Sequence, residues 1–317
     1  LKKQGADYNE FTELWKTPLN RWRFDTHIVN IAMALKAEAL TADIFKTDYT
    51  DNAGALYDIL KKYNGTPVGT FTGDECLAGL SPIQGTELCS VTELMYSYEW
   101  LYAYTGDKKW AELLELAAFN ALPATISEDM WTHQYVQQSN QIACEIFPGK
   151  PVFRTNGSES HIFGLEPNFG CCTANFNQGW PKFALSAYMY GENTVINVLP
   201  VPSNLKTDGF NINLETEYPF KNSFKYTVNS DIEFEFKIRI PSFAENVTVN
   251  GKKADIGELS FKITPCKNRA IEISYETRPV LISRPYGLNT ARCGSLVFSL
   301  PIKYEKRMHE YTNDGVE

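Results

Sequence analysis

The sequence predicts an α+β protein with a helical domain over residues 1–191, followed by an antiparallel β-sandwich domain over residues 192–317. Two patterns predict this order. In the first part, apolar residues recur at the three- and four-residue spacing of a buried helix face. In the second part, apolar and polar residues alternate over short segments, as they do in half-buried strands. Several short strands at regular spacing are typical of a sandwich.

Five segments carry the helical pattern, and two of them have clear boundary signals. Ser90-Val-Thr-Glu93 has the spacing of a capping box, so we expect a helix to begin at Ser90 and to end at Gly106. In the last segment Pro181 either kinks the helix or opens a new helix within its first turn. The predicted helical segments are residues 25–42, 51–63, 90–106, 110–122 and 173–190.

The strand pattern is clearest at residues 232–240, where apolar and charged residues alternate over the whole segment. This alternation predicts an antiparallel strand with one face in solvent. Residues 210–214 and 270–275 show the same pattern. Between residues 247 and 253, Asn250-Gly251 is a strong signal for a hairpin turn.

Composition excludes several classes of function. The chain has 317 residues with 43% hydrophobic content, enough for one large or two ordinary globular domains. Its net charge of −8 argues against a nucleic-acid partner, and no apolar run is long enough to span a bilayer. An odd count of 7 cysteines favours reduced or metal-bound thiols over a disulfide scaffold. Because the sequence starts at Leu1 and stops soon after a strand-like run, we expect a piece of a longer protein.

Two adjacent cysteines, Cys171 and Cys172, are the most informative chemical motif. A disulfide between neighbouring residues is strained, whereas two such thiols fit well as metal ligands, or as a ligand beside a reactive thiolate. Glu87-Leu-Cys89 offers the other half of such a site. One carboxylate and three thiolates would hold a zinc ion tetrahedrally.

The predicted positions of these motifs agree with a shared site. Glu87 and Cys89 precede the capping box, where an extended backbone points residues two apart to the same side. Cys171 and Cys172 precede a predicted helix start, where free amides and the helix dipole favour a thiolate. From the residues alone a structural zinc, a catalytic zinc and a coincidence all stay open.

Other candidates lie in loops and at helix ends. Glu75 precedes Glu87 closely enough to reach the same cleft, whereas its neighbour Asp74 has a solvated loop carboxylate as its default interpretation. His27 begins an apolar helix, where a hydrogen-bonded core histidine is the commoner case. His133 and Tyr135 either line a polar pocket or pack.

Three motifs resemble the β-L-arabinofuranosidase family, which is glycoside hydrolase family 127: Gly-Thr-Glu87-Leu-Cys89-Ser, Glu-Pro-Asn-Phe-Gly-Cys171-Cys172-Thr-Ala-Asn and Thr26-His27-Ile-Val-Asn. The resemblance implies that the helical domain is part of an (α/α)6 toroid and that a zinc ion is the cofactor. It also implies the site residues: Glu87, Cys89, Cys171 and Cys172 as zinc ligands, Cys171 as nucleophile, Glu75 as general acid/base, and His27, Tyr135 and Glu87 as sugar-binding residues.

The function that this resemblance implies is a retaining glycoside hydrolase acting on β-L-arabinofuranosides or similar sugars, with an arabinose-containing glycan as its partner. Two alternatives come from other classes. The first is a non-catalytic carbohydrate-binding protein in which zinc only stabilises the helical domain. The second is a papain-type thiol hydrolase that pairs Cys171 with His27 or His133.

Overall fold

The structure is a computed structural model that describes residues 8–17, 23–139, 141–145, 158–165, 170–305 and 307. The Glu-Pro-Asn-Phe part of the second motif, residues 166–169, lies outside these ranges. Among the described residues, none of the helices has the length and apolar character needed to cross a membrane.

Helices make up more than half of the described residues before residue 186, and one of them, α6 (Lys108–Leu116), is followed by shorter helical turns. A π-helical turn over Ala117–Ala121 continues α6, and a 3-10 turn over Pro123–Thr125 follows it. The α-helices are α1 Tyr8–Lys16, α2 Ile28–Ala34, α3 Ala37–Phe45, α4 Asn52–Asn64, α5 Leu88–Thr105, α6 Lys108–Leu116, α7 Gly170–Phe176 and α8 Gly179–Leu185.

The start of α5 shows that the capping-box prediction is wrong. The helix begins at Leu88 with Glu87 as its N-cap, and Ser90 is a fully buried residue inside the first turn. A long-range contact sets this start: the amide of Leu88 donates a hydrogen bond to the carbonyl of Tyr135 across 2.9 Å. The other end is as predicted, since Gly106 caps the helix with a left-handed φ of 68°.

Two further helix predictions need correction. Residues 25–42 form two helices, because the chain turns between α2 and α3 at residues 35–36. There the Lys36 side chain is buried, with its Nζ 3.2 Å from a carboxylate oxygen of Glu93. Residues 173–190 also contain more than one element. Pro181 lies in the first turn of α8, as one alternative predicted, but Tyr188–Gly191 is a strand.

Among the described residues the strands form four sheets, with the orders β2-β1-β3-β4, β13-β10-β6-β5, β12-β11-β14-β9-β8-β7 and β15-β16-β17. The first sheet lies within the helical part of the chain and carries site residues. Its strands are β1 Gly73–Asp74, β2 Cys76–Leu77, β3 Gly85–Glu87 and β4 Val136–Gln138. The others are β5 Tyr188–Gly191, β6 Thr194–Asn197, β7 Ser203–Lys206, β8 Phe210–Thr216, β9 Ser223–Ser230, β10 Phe234–Arg239, β11 Glu245–Val249, β12 Lys252–Lys253, β13 Glu258–Ile263, β14 Cys266–Glu276, β15 Pro279–Ser283, β16 Asn289–Cys293 and β17 Leu296–Phe298.

The hairpin predicted at Asn250-Gly251 is confirmed, since β11 and β12 pair antiparallel on either side of it. Both turn residues have positive φ, 49° and 74°, as a type I′ turn requires. The strand predicted at residues 232–240 is β10, but only its pairing with β13 is antiparallel, because it runs parallel to β6.

One predicted solvent-facing position of β10 is buried. Arg239 is 1% exposed and forms an ion pair with the equally buried Glu115 of α6. Tyr218 and Ser295 donate hydrogen bonds to Glu115 at 2.7 and 2.9 Å, and Arg239 Nε donates to the carbonyl of Val198 at 2.6 Å. This network connects α6 to the sheet that contains β10.

Candidate metal and catalytic site

The small sheet β2-β1-β3-β4 brings the site residues together. Strands β3 and β4 pair antiparallel, with Glu87 opposite Val136, so Glu87 lies beside the residue that follows Tyr135. The strands approach closely at Gly85, where a Cβ atom would overlap the Val136 side chain. Glycine at this position therefore permits the pairing that aligns the two sides of the site.

Glu87 and Cys89 reach one site by a different route from the predicted one. Glu87 is extended, with φ −64° and ψ 138°, but Cys89 is already the second residue of α5. The prediction that both lie on extended backbone is therefore wrong for Cys89. Their ligand atoms nevertheless belong to one cluster, because the chain turns from strand to helix between them.

The adjacent cysteines complete this cluster from α7. They are the second and third residues of the helix, although the sequence had placed them before a helix start. Cys172 Sγ is 3.4 Å from Cys89 Sγ and 4.0 Å from Cys171 Sγ. The ligand atoms of Glu87, Cys89, Cys171 and Cys172 all lie within 4.8 Å of one another. A tetrahedral zinc ion with Zn–S bonds of ~2.3 Å separates its sulfurs by about 3.8 Å, so the donor set fits such an ion.

Burial divides the four side chains into two kinds. Glu87, Cys89 and Cys172 are at most 2% exposed, whereas Cys171 is exposed. The Oε2 atom of Glu87 is buried and has no hydrogen-bond partner in the part of the chain that the structure describes. A buried carboxylate oxygen without a partner is unfavourable, and a bound cation would compensate it. The cluster therefore has the chemistry of a metal site with one ligand open to solvent.

The electrostatics of the cluster concentrate negative charge on that exposed thiol. Hydrogen bonds from Cys172 and Cys89 lower the pKa of Cys171 far below its ordinary value. The pKa of Cys172 is raised, chiefly through its hydrogen bond to Cys171. Burial raises the pKa of Glu87 to about 8.

Glu75 faces the cluster from a strained turn. It joins β1 to β2, which pair antiparallel on either side of it, and its φ of 66° is left-handed. For a residue other than glycine this conformation is uncommon and costs free energy. The backbone of His27 bridges to Cys76, and the amide of Ile28 donates to the carbonyl of Glu75 at 2.8 Å, which brings His27 alongside.

Both carboxylate oxygens of Glu75 have partners. His27 Nε2 is 3.2 Å from Oε2, and the hydroxyl of Tyr135 donates to Oε1 at 2.8 Å. The hydrogen bond with His27 is the main cause of a lowered pKa at Glu75 and of a raised pKa at His27. Burial raises the pKa of Tyr135, which keeps its hydroxyl a donor. Each partner therefore favours the charged form of the other.

Glu87 connects the two groups of residues. Its ligand atom, that of Glu75 and that of His27 lie within 4.8 Å of one another. The structure thus brings together all seven residues that the sequence analysis selected for the site, although their roles stay predictions.

One residue near the site behaves differently from expectation, and another was not selected. Asp74 is not a solvated loop acid, because its Oδ1 is buried without a hydrogen-bond partner among the described residues and burial raises its pKa to about 7. His133 Nε2 lies 2.9 Å from the hydroxyl of Thr173, a residue that the sequence analysis did not select. In the sequence, only its position next to Glu75 indicated that Asp74 lies near the site. For Thr173 the only such indication was that it follows Cys172.

Comparison with known proteins identifies the relationship. Residues 195–265 match the model of the GH127 middle domain of β-L-arabinofuranosidases. The resemblance to family GH127 is confirmed. A GH127 β-L-arabinofuranosidase from Geobacillus stearothermophilus T6 has a similar structure, with a TM-score of 0.67, 19% sequence identity and 86% of this chain covered. Another GH127 β-arabinofuranosidase has a TM-score of 0.65 and 20% sequence identity, with 86% of this chain covered. A structure described as a glycoside hydrolase has a TM-score of 0.72 and 18% sequence identity, with 88% of this chain covered.

These likenesses show that the chain has an α+β fold of the kind seen in GH127 structures. The chain spans about half the length of these solved structures: 46% of the Geobacillus enzyme, 47% of the other GH127 β-arabinofuranosidase and 52% of the glycoside hydrolase. No match was found among curated protein sequences.

Proposed function

We propose that this chain carries the catalytic site of a retaining glycoside hydrolase that cleaves β-L-arabinofuranosides or similar sugars. One observation carries the proposal: an exposed thiol of lowered pKa, Cys171, shares a cluster with Glu87, which lies beside the Glu75–His27 pair. A nucleophile and an acid/base group at one site are the requirements of a retaining glycosidase.

The fold relationship extends the proposal to architecture. The described helices would be part of an (α/α)6 toroid, and the strands that follow would form a β-sandwich. The division into domains of residues 1–191 and 192–317 belongs to the same proposal. The likeness to solved glycoside hydrolase structures over 86–88% of the chain supports it.

The proposed cofactor is a zinc ion held by Glu87, Cys89, Cys171 and Cys172. Three thiols and a carboxylate at these separations suit zinc better than magnesium or calcium, which prefer oxygen ligands. When bound, zinc would keep the coordinating thiols deprotonated at neutral pH.

In the first step the Sγ of Cys171 would attack the anomeric carbon of the sugar, and the glycosidic bond would break. The leaving oxygen needs a proton at the same time. The free protein holds that proton on the His27–Glu75 pair, where the pKa of His27 is raised. Glu75 would deliver it, with Tyr135 fixing the carboxylate through the bond to Oε1.

In the second step Glu75 would act as a base. It would take a proton from a water molecule, whose oxygen attacks the anomeric carbon and releases the thiolate of Cys171. The lowered pKa of Glu75 favours its ionised form, which is the form that can accept this proton. His27, Tyr135 and Glu87 would contact the sugar during both steps.

A papain-type mechanism receives less support from the geometry. It would require His27 or His133 to accept the proton of Cys171. The Nε2 of His27 pairs with Glu75, and the Nε2 of His133 lies against Thr173.

Hydrolysis of an aryl β-L-arabinofuranoside tests the proposal. We expect turnover with retention of configuration by the zinc-loaded protein, and at least a 10³-fold loss in Cys171→Ser and in Glu75→Gln. Cys266→Ser, in β14 outside the cluster, is the matched control. Undiminished turnover by Cys171→Ser would refute the assignment. A wild type that binds zinc and sugar without turnover would support the non-catalytic alternative.

A further inference from the structure

The helix that carries the proposed nucleophile is short and largely exposed, and its partly buried Phe176 packs against the core. Helix α7 is only seven residues long, and Cys172 is its buried residue. Gly170, Cys171 and Ala174 are all exposed. A short helix with so small a buried face is held in position mainly by specific contacts with its neighbours.

His133 supplies such a contact. Its ring is largely buried, with the residue 7% exposed, and its Nε2 lies 2.9 Å from the Thr173 hydroxyl in the first turn of α7. That hydroxyl donates its single proton to the carbonyl of Leu165 at 3.3 Å. The hydroxyl is therefore the acceptor for His133, and we assign the proton of the pair to Nε2.

The backbone of His133 holds the segment that precedes α7. Its amide donates to the carbonyl of Gly164, and the amide of Gly164 donates back, both at 3.1 Å. A second bridge pairs His133 with Ile126. Side chain and backbone of one residue thus fix both residues 164–165 and the first turn of α7.

The same residue lies close in sequence to the other half of the site. Tyr135, two positions further on, donates its hydrogen bond to Glu75. A path through His133 therefore connects Thr173, next to the cysteine pair, with the residue that orients the acid/base carboxylate. In retaining glycosidases the separation of nucleophile and acid/base is fixed within narrow limits.

We propose that His133 is a positioning residue that sets the place of Cys171 relative to Glu75 through its hydrogen bond to Thr173. The proposal rests on the proposed function and adds a residue that does not touch the sugar. Because a misplacement of about 1 Å can cost about 100-fold in rate, loss of this bond should affect turnover more than binding.

Thr173→Val removes the hydroxyl and nearly keeps the shape of the side chain. We expect kcat to fall 10- to 100-fold with KM within about 3-fold, and Thr173→Ser to restore most of kcat because it keeps the hydroxyl. His133→Ala should lower kcat as much as Thr173→Val does. Because both substitutions remove the same hydrogen bond, the kcat of the double variant should be no lower than that of the less active single variant. His133→Gln keeps an N–H group and should retain more turnover than His133→Ala.

The matched control is Thr132→Val, which removes a hydroxyl bonded to Ser127 Oγ at 2.9 Å within the neighbouring loop. It should leave kcat unchanged. Additive losses in the double variant, or equal kcat for Thr173→Val and Thr173→Ser, would overturn the proposal.

A second measurement separates this inference from the proposed function. Release of zinc to a chromophoric chelator should be about 10-fold faster from Thr173→Val than from wild type or Thr173→Ser, because α7 carries two of the ligands. If the wild type hydrolyses no arabinofuranoside but this difference in release is seen, the proposed function fails and the positioning role stands. Equal release rates together with equal turnover would exclude any positioning by His133.

Discussion

Tyr135 donates a hydrogen bond to Glu75 Oε1 across 2.8 Å, although the two residues are 60 positions apart. His27 occupies the other oxygen of the same carboxylate. The orientation of the carboxylate is therefore set before any substrate arrives, and its charge depends on its two neighbours.

His27→Gln should move the pH profile. Its hydrogen bond is the largest cause of the lowered pKa of Glu75, so its removal raises that pKa. The limb of the kcat/KM–pH profile that reports Glu75 should shift to higher pH. The profile is measured with an aryl β-L-arabinofuranoside under zinc saturation.

Tyr135→Phe provides a graded comparison for this shift. It removes a smaller cause of the low pKa, so its shift should have the same direction and a smaller size. A limb that stays in place in His27→Gln would show that the titrating group is not Glu75.

The two adjacent cysteines should differ in their response to substitution by serine. Cys172 is fully buried and 3.4 Å from Cys89 Sγ, whereas Cys171 is exposed. We expect Cys172→Ser to lower both zinc content and Tm, and Cys171→Ser to lower turnover with the smaller loss of Tm. Elemental analysis and thermal unfolding measure the two effects. Full zinc content and an unchanged Tm in Cys172→Ser would contradict the assigned ligand set.

Glu115→Gln should destabilise the protein strongly. The substitution leaves the fully buried guanidinium of Arg239 without its carboxylate, and breaking such a pair costs about 3–5 kcal/mol. Urea unfolding measures the change. The control is Glu217→Gln, which removes a pair with Lys221 whose side chains are 66% and 62% exposed, and it should cost less than about 1 kcal/mol. Similar losses of unfolding free energy in the two variants would show that the buried pair stabilises the protein no more than the exposed pair does.

Glu99 should make stability fall with rising pH. The residue is 5% exposed, and burial raises its pKa from the ordinary 4.5 to about 7. The folded chain therefore keeps this proton over a range where the unfolded chain has lost it. The stability that the bound proton contributes is complete below pH 4.5 and is lost as the pH rises through about 7.

Glu99→Gln lacks this dependence. Relative to wild type, we expect it to gain about 1–3 kcal/mol in the free energy of unfolding between pH 4.5 and pH 8. Urea unfolding at the two pH values gives the difference, with Glu217→Gln as the exposed control. A constant difference between Glu99→Gln and wild type would refute the burial effect.

Local signals in the sequence predicted local structure well. The hairpin at Asn250-Gly251 and the helix end at Gly106 depend on the backbone preferences of a few neighbouring residues. The capping box at Ser90 failed because the start of α5 is set by pairing with the chain near Tyr135, which no short window contains.

The site was predictable as a set of residue types but not as a geometry. Cys89 and Cys172 are 83 positions apart, and only the motifs suggested that they meet. The left-handed backbone of Glu75 and the bond between His133 and Thr173 arise from tertiary contacts, so the sequence carried no sign of them. Arg239 looked like a solvent-facing residue because its buried partner, Glu115, lies on a distant helix.

The backbone of Glu75 has a consequence for how this position can change. Glycine adopts a left-handed φ without steric cost, so the conformation alone would favour it over glutamate. Glycine, however, has no carboxylate to offer His27 and Tyr135. The most stable residue and the most useful one are therefore different here, and selection for stability alone would remove the acid that the proposed reaction needs.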